Sequence, residues 1–219
     1  MPLEALQTRL EQLYDLAVPY RVSDFLVTDP VLARALSADT RDAPEALLLQ
    51  QSDEALDLSL FIDRAVLDRL KGHDPAAPWP AGTLQDWWVA MEGVSHFLAV
   101  VWRALRSRAT TAVELELQAE VDKFVLTAWA LGETHGTAAL PSLHDALFRR
   151  SRLRGNLAPP LQDRYRHASN LASSYCDRLP QQHRVWPPGR ELFGELRRFY
   201  RLDWHAKERH IRRLAASAS

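Results

Sequence analysis

Glu92 and His96 stand four residues apart, so a helix running through them would carry both on one face, together with Arg103. A carboxylate beside an imidazole can orient a general base or offer ligands to a metal ion. Further along the chain Glu116, Glu120 and Lys123 form a second polar stripe of similar period. Two antiparallel helices folded about residue 109 would set Arg103 level with Glu116, His96 with Glu120 and Glu92 with Lys123. Each rung joins opposite charges once His96 is protonated. Two readings follow. In the first, the rungs form a ladder that fixes register, as flanking charges do in coiled coils, each exposed rung contributing about 0–1 kcal/mol. In the second, they line a pocket in which His96 is base or ligand and Lys123 holds an anionic group. The ladder is the expectation, so no catalytic residue is assigned and Glu92, His96, Arg103, Glu116, Glu120 and Lys123 stand as a candidate polar cluster.

The motifs of common chemistries are missing. The sequence has no Gly-rich phosphate loop, no His-Glu-x-x-His pair and no nucleophile elbow. A di-iron carboxylate site needs Glu-x-x-His on each of two helices, whereas Glu-x-x-x-His occurs here once. Cys176 is the single cysteine, which excludes an internal disulfide and a structural zinc site and is expected to be a buried apolar side chain. No metal and no cofactor is therefore expected. His135, between Gly132 and Gly136, reads as part of a helix exit. Asp57, Ser59 and Asp63 read as the solvated side of a strand, with no calcium-loop pattern after them.

Several elements must position these groups. Leu3, Leu6, Leu10, Leu13 and Tyr14 recur at helical spacing and predict a helix over 3–17, ended by Pro19. Residues 21–28 suggest a short strand, and Asp29-Pro30 an N-cap and first helical position for a helix to Leu36. An apolar run over 46–50, a polar turn over 51–55, and the alternation of Leu56, Leu58, Leu60 and Ile62 with Asp57, Ser59, Phe61 and Asp63 predict a β-hairpin with one buried face. Asp63 then caps a helix to Leu70. Residues 72–82 contain three prolines and read as a linker. A mostly apolar segment over 83–107 and a second over 111–131, opened by the capping box Thr111-Ala-Val-Glu114, predict the long helical hairpin. Shorter helices are expected over 142–152, 161–179 and 190–214.

The expected fold is therefore mainly α (α+β). It is a single domain over 1–219, centred on a long antiparallel helical hairpin (83–131), with a small β-hairpin and a possible third short strand in the N-terminal third. A basic helical region (132–219) completes it.

Charge is segregated along the chain. Residues 1–148 hold 11 Lys and Arg against 22 Asp and Glu, and residues 149–219 hold 16 against 6. Arg197, Arg198, Arg201, Arg212 and Arg213, interleaved with Phe199, Tyr200 and Trp204, can grip phosphates while bases stack, so nucleic acid is one candidate partner. The overall charge of −1 weighs against it, since binders of that kind carry a strongly basic domain. Hydrophobic residues at 47% and charged ones at 25% are ordinary for a globular chain. No apolar run approaches the roughly 20 residues of a membrane span, and the first residues lack a signal-peptide pattern, so a cytoplasmic location is expected. The expected function is a non-enzymatic protein-interaction or accessory subunit of a bacterial-type complex, with homodimerisation compatible with the many aromatics. The alternatives are a small-ligand- or metal-dependent enzyme built on Glu92, His96, Glu120 and Lys123, and nucleic-acid binding through the basic C-terminal region.

Overall fold

The computed structural model describes residues 2–37, 43–52, 56–72, 82–149 and 159–216. The chain divides into two compact units, one comprising Met1–Gln12 and Leu16–Ser107, the other Leu13–Asp15 and Arg108–Ser219. The fold is mainly helical, with a small three-stranded sheet in the first unit. Most of the expected linker over 72–82 lies outside the described residues.

In the first unit, helix α1 (Pro2–Tyr14) buries Leu3, Leu6 and Leu10. It ends at Tyr14, short of the expected boundary, because Asp15 turns left-handed at φ 54°. The buried Gln7 side chain then holds the returning chain. Its Oε1 accepts from the Val22 N–H at 2.8 Å, and its Nε2 donates to the Tyr20 carbonyl at 2.8 Å. The strand expected over 21–28 is reduced to β1 (Leu26–Val27), because Val22–Phe25 close into a 3₁₀ turn. Asp29 caps α2 (Pro30–Leu36), its side chain accepting from the Val31 N–H at 2.8 Å.

The hairpin pairs β2 (Glu45–Gln51) antiparallel with β3 (Leu56–Ile62), and β1 joins β3 in parallel, giving the order β1-β3-β2. Leu60 and Ile62 face α4 (Thr83–Ala104), where Gly93 permits the approach. A Cβ on that glycine would stand 3.0–3.3 Å from Leu60, Ile62 and Glu45. Two expectations need correction here. Phe61 is not on a solvated face but is buried with Ala33 of α2 and Leu48. Leu56 and Leu49, by contrast, are exposed, because the far end of the hairpin reaches past its cover. Asp63 caps α3 (Arg64–Leu70), and Arg69 grips the buried Asp86 in the first turn of α4 with two bonds of 2.6 and 2.7 Å.

In the second unit, Thr111 opens α5 (Ala112–His135) and accepts from the Glu114 N–H at 3.3 Å. The Glu114 carboxylate accepts from the Thr110 hydroxyl at 3.4 Å and lies 4.0 Å from Lys207 Nζ. Helix α5 does not end before Gly132. That glycine sits inside the helix because the Trp186 ring rests on it, at 2.4–2.8 Å from where a Cβ would be. The segment after α5 is a 3₁₀ turn (Gly136–Ala139), α6 (Leu140–His144) and a π-helical turn (Asp145–Arg149), in place of a single helix over 142–152. Helix α7 (Pro159–Gln182) runs through Pro180. The last helical region splits into α8 (Arg190–Arg201) and α9 (Trp204–Ala216).

A buried polar network ties these helices together. Lys207 of α9 is 1% exposed. Its ammonium donates to Gln118 Oε1 at 2.8 Å and stands 5.0 Å from the centre of the Phe199 ring. Gln118 Nε2 donates to Asp122 at 2.9 Å and to the Tyr14 hydroxyl at 3.0 Å, and that hydroxyl donates to Asp122. Burial, reinforced by Asp122, pushes the Tyr14 phenol well above its usual range, so it stays a neutral donor. Removing one partner from a buried charged set leaves the others unsatisfied. Lys207→Ala should therefore destabilise the protein by about 3–5 kcal/mol in urea denaturation, against no more than about 0.5 kcal/mol for the exposed Arg212→Ala.

Candidate functional site

The six residues of the sequence cluster divide between the two units. On α4, His96 is 6% and Arg103 4% exposed, while Glu92 is half-buried. Glu92 and His96 present ligand atoms within 4.8 Å of each other. A carboxylate partner of the His96 ring comes from outside these six residues. Glu45, the first residue of β2 and 4% exposed, places Oε1 3.4 Å from His96 Nδ1. The two are 51 residues apart in sequence, and only the packing of β2 on α4 at Gly93 brings them together. A carboxylate on Nδ1 fixes the ring's orientation and makes Nε2 the nitrogen suited to a ligand or base role. On α5, Glu116 is buried, and Lys123 donates to Glu120 of its own helix at 2.9 Å. Lys123 thus has an acidic partner one turn away, as an i, i+3 pair.

The C-terminal arginines spend much of their hydrogen-bonding capacity inside the protein. Arg197 donates to the Leu13 carbonyl at 3.0 Å, and its guanidinium lies 5.6 Å from the Phe193 ring centre. Arg201 donates to the Arg197 and Asp15 carbonyls, Arg198 pairs with Glu195, and Arg212 pairs with Glu208. Beneath them Glu195 accepts from the Tyr175 hydroxyl at 3.0 Å and meets His210 Nε2 at 2.6 Å. Burial pushes this carboxyl up, but the hydrogen bond and charge of His210, with Arg198, outweigh it and hold Glu195 at about 2 against an ordinary 4.5. Neither Glu195 nor His210 stands out in the sequence. Their only signal is the i, i+15 placement across the α8–α9 break, which has no meaning until that break is known.

A cavity of about 580 Å³ opens in the second unit, within the size range of small-molecule sites. Phe124, Leu140, Cys176 and Val185 supply apolar wall, and His144, His183 and Arg184 supply polar wall. Two helix irregularities line it. The π-helical turn widens the chain at Asp145–Arg149, and Pro180 withholds the N–H that would meet the Cys176 carbonyl one turn earlier.

Two nucleophilic readings in and beside this cavity fail, one on hydrogen bonding and one on burial. Ser173 Oγ is 3.3 Å from His144 Nε2, but the same nitrogen is 3.0 Å from the Ser173 carbonyl. A carbonyl only accepts, so Nε2 carries the proton and cannot take one from the hydroxyl. Burial pushes the Cys176 thiol well above its usual range, with Glu120, Asp122 and Asp177 adding to the effect, so it remains a neutral thiol. Cys176 is buried, as its solitary occurrence suggested.

No family model, no curated protein and no solved structure matches this chain. Among the described residues no helix is long and apolar enough to cross a membrane.

The Glu195 arrangement gives a pH signature. A carboxyl lowered on folding contributes stability that is present above its unfolded value and is lost as pH falls through the folded one. The stability advantage of the wild type over Glu195→Gln should therefore be full above pH 4.5 and shrink between pH 4.5 and about 2, as read from thermal melts across that range.

Proposed function

We propose that this chain is a non-enzymatic protein-interaction module that associates by adding a strand to the outer edge of β2, with a second copy of itself as partner. The observation that carries this is the open edge. In the order β1-β3-β2, no described strand pairs with the far side of β2. Seven residues, Glu-Ala-Leu-Leu-Leu-Gln-Gln, run along that edge without a proline or a lysine, the residues that ordinarily blunt exposed edges. Apolar side chains surround it. Leu49 is 47% exposed and Leu56 38% on one face, and Val31, Leu32 and Leu36 are exposed on α2. Leu36 and the run Ala46–Gln50 also line a shallow groove of about 340 Å³.

A second copy suits the edge because the strand is compatible with itself. Antiparallel pairing centred on Leu48 sets Leu47 against Leu49, Ala46 against Gln50 and Glu45 against Gln51, so the single charge of the strand never faces its own kind. Main-chain hydrogen bonds supply the attachment and the leucines the register. A contact of this size belongs to the small, transient class of interfaces. Light scattering after size exclusion should show a concentration-dependent dimer with a Kd of micromolar order. Leu49→Lys should make it monomeric with an unchanged circular-dichroism spectrum. A wild type that stays monomeric at high concentration, or a dimer indifferent to Leu49→Lys, would remove this reading.

The pairing of Glu45 with His96 favours a second reading, in which Glu92 and His96 bind a divalent cation and Glu45 orients the imidazole. Its support is the carboxylate-on-imidazole arrangement that metal-binding histidines use. Zinc or manganese titrated into the protein by calorimetry should bind at one equivalent and lose at least about tenfold affinity in Glu45→Gln, the range reported for such orienting partners. Absence of stoichiometric binding, or binding unaltered in His96→Ala, would dismiss it. The arginines of α8 and α9 support nucleic-acid binding less, since Arg197, Arg198, Arg201 and Arg212 all make intraprotein contacts.

A further inference from the structure

We infer that the dimer formed along β2 has a second layer, in which Leu36 of α2 meets Leu36 of the other copy across the two-fold axis. This rests on the strand pairing proposed above and goes beyond it by naming what each α2 touches. A strand paired antiparallel with its own copy is related to it by a two-fold axis normal to the sheet. Whatever covers one face of the first copy therefore covers the same face of the second. With the pairing centred on Leu48, the axis passes through that residue. Leu48 lies on the face that holds α2, since it is buried with Ala33 and Phe61, and Val27 and Ala46 pack against the same cluster. The two α2 helices thus stand on one side of the joined sheet.

Helix α2 is placed to reach that axis. It follows directly on β1, the strand farthest from the open edge. Ala33 rests on Phe61 of β3 and Leu48 of β2, and Leu36, one turn later, lines the groove along Ala46–Gln50. The helix therefore crosses the sheet and brings its last turn to the strand that carries the edge. Neighbouring strands lie about 4.8 Å apart, so a side chain standing over β2 near Leu48 has its image within about 10 Å, the span of two facing leucines. Leu36 is 54% exposed in the single copy, and Leu32, one turn back on the same flank, is exposed as well. Arg34, the one charge of the helix, is two positions away and so belongs to the other flank. The contact is apolar on both sides and sets no like charges together.

The test uses the full chain at concentrations where the wild type is dimeric. Leu36→Glu should weaken the dimer by about tenfold or more, because two carboxylates then face each other across the axis, and Leu36→Lys should do the same. Mixing the two variants should restore association in light scattering, a rescue that requires position 36 to meet itself. Independently, Leu36→Cys should cross-link to a dimer with bismaleimidoethane, while Arg34→Cys and the wild type, whose Cys176 is buried, should not. Should a charged variant fail to fold, the cross-link still decides the matter. A dimer that Leu49→Lys abolishes but that neither Leu36→Glu nor Leu36→Lys weakens, or that gives no cross-link through Leu36→Cys, overturns the inference and leaves the strand pairing standing. A wild type that is monomeric at every concentration removes both.

Discussion

An ammonium buried at 1% exposure is the constraint around which the second unit is arranged. Taking a lysine head from water is costly unless every donor finds an acceptor and a counter-charge lies within reach. Lys207 meets those conditions with the Gln118 carbonyl oxygen, the Glu114 carboxylate and the face of Phe199. The chain uses 24 arginines and only 3 lysines, so a lysine here reflects the geometry: a compact point charge fits between an aromatic ring and an amide where a planar guanidinium would not. Satisfying that one group fixes α9 against α5. Gln118 passes the same order on to Asp122 and Tyr14, and so to the short segment Leu13–Asp15 at the end of α1.

The first unit manages polarity in the opposite way. Its sheet is apolar and only partly covered, with Leu60, Phe61 and Ile62 buried and Leu49 and Leu56 exposed. Cover is complete where Gly93 lets α4 come close and is lost toward the tip of the hairpin. Two of its polar links are local clamps, Gln7 on the returning chain and Arg69 on Asp86, each holding one connection. One unit is thus specified by a buried network and the other by a sheet whose edge is unfinished.

Local chemistry was legible in the sequence wherever a short motif has one structural meaning. Asp29 before Pro30, Asp63 before α3 and Thr111 before α5 each cap the helix expected of them, and the alternation over Leu56–Ile62 is a strand. Long-range chemistry was not. Glu45 and His96 meet because of a glycine on α4, and a lone glutamate at a strand start carries no sign of that. Gly132 reads as a helix exit until an indole is found lying on it. The cavity draws its wall from α5, the turn beyond it, α6, the π-helical turn, α7 and the loop after α7, so no single stretch of sequence announces it. Lys207 had one faint signal, its rarity, which it shares with Lys123 and Lys71.

Glu45 occupies two ledgers at once. Its main chain forms the first rung of β2, opposite Ile62, while its carboxylate is engaged by an imidazole on α4. A shift of the strand's end therefore carries the carboxylate with it, and the angle of the ring on α4 follows the position of the first rung. One side chain thereby ties the start of an edge strand to the orientation of an imidazole on the helix behind it.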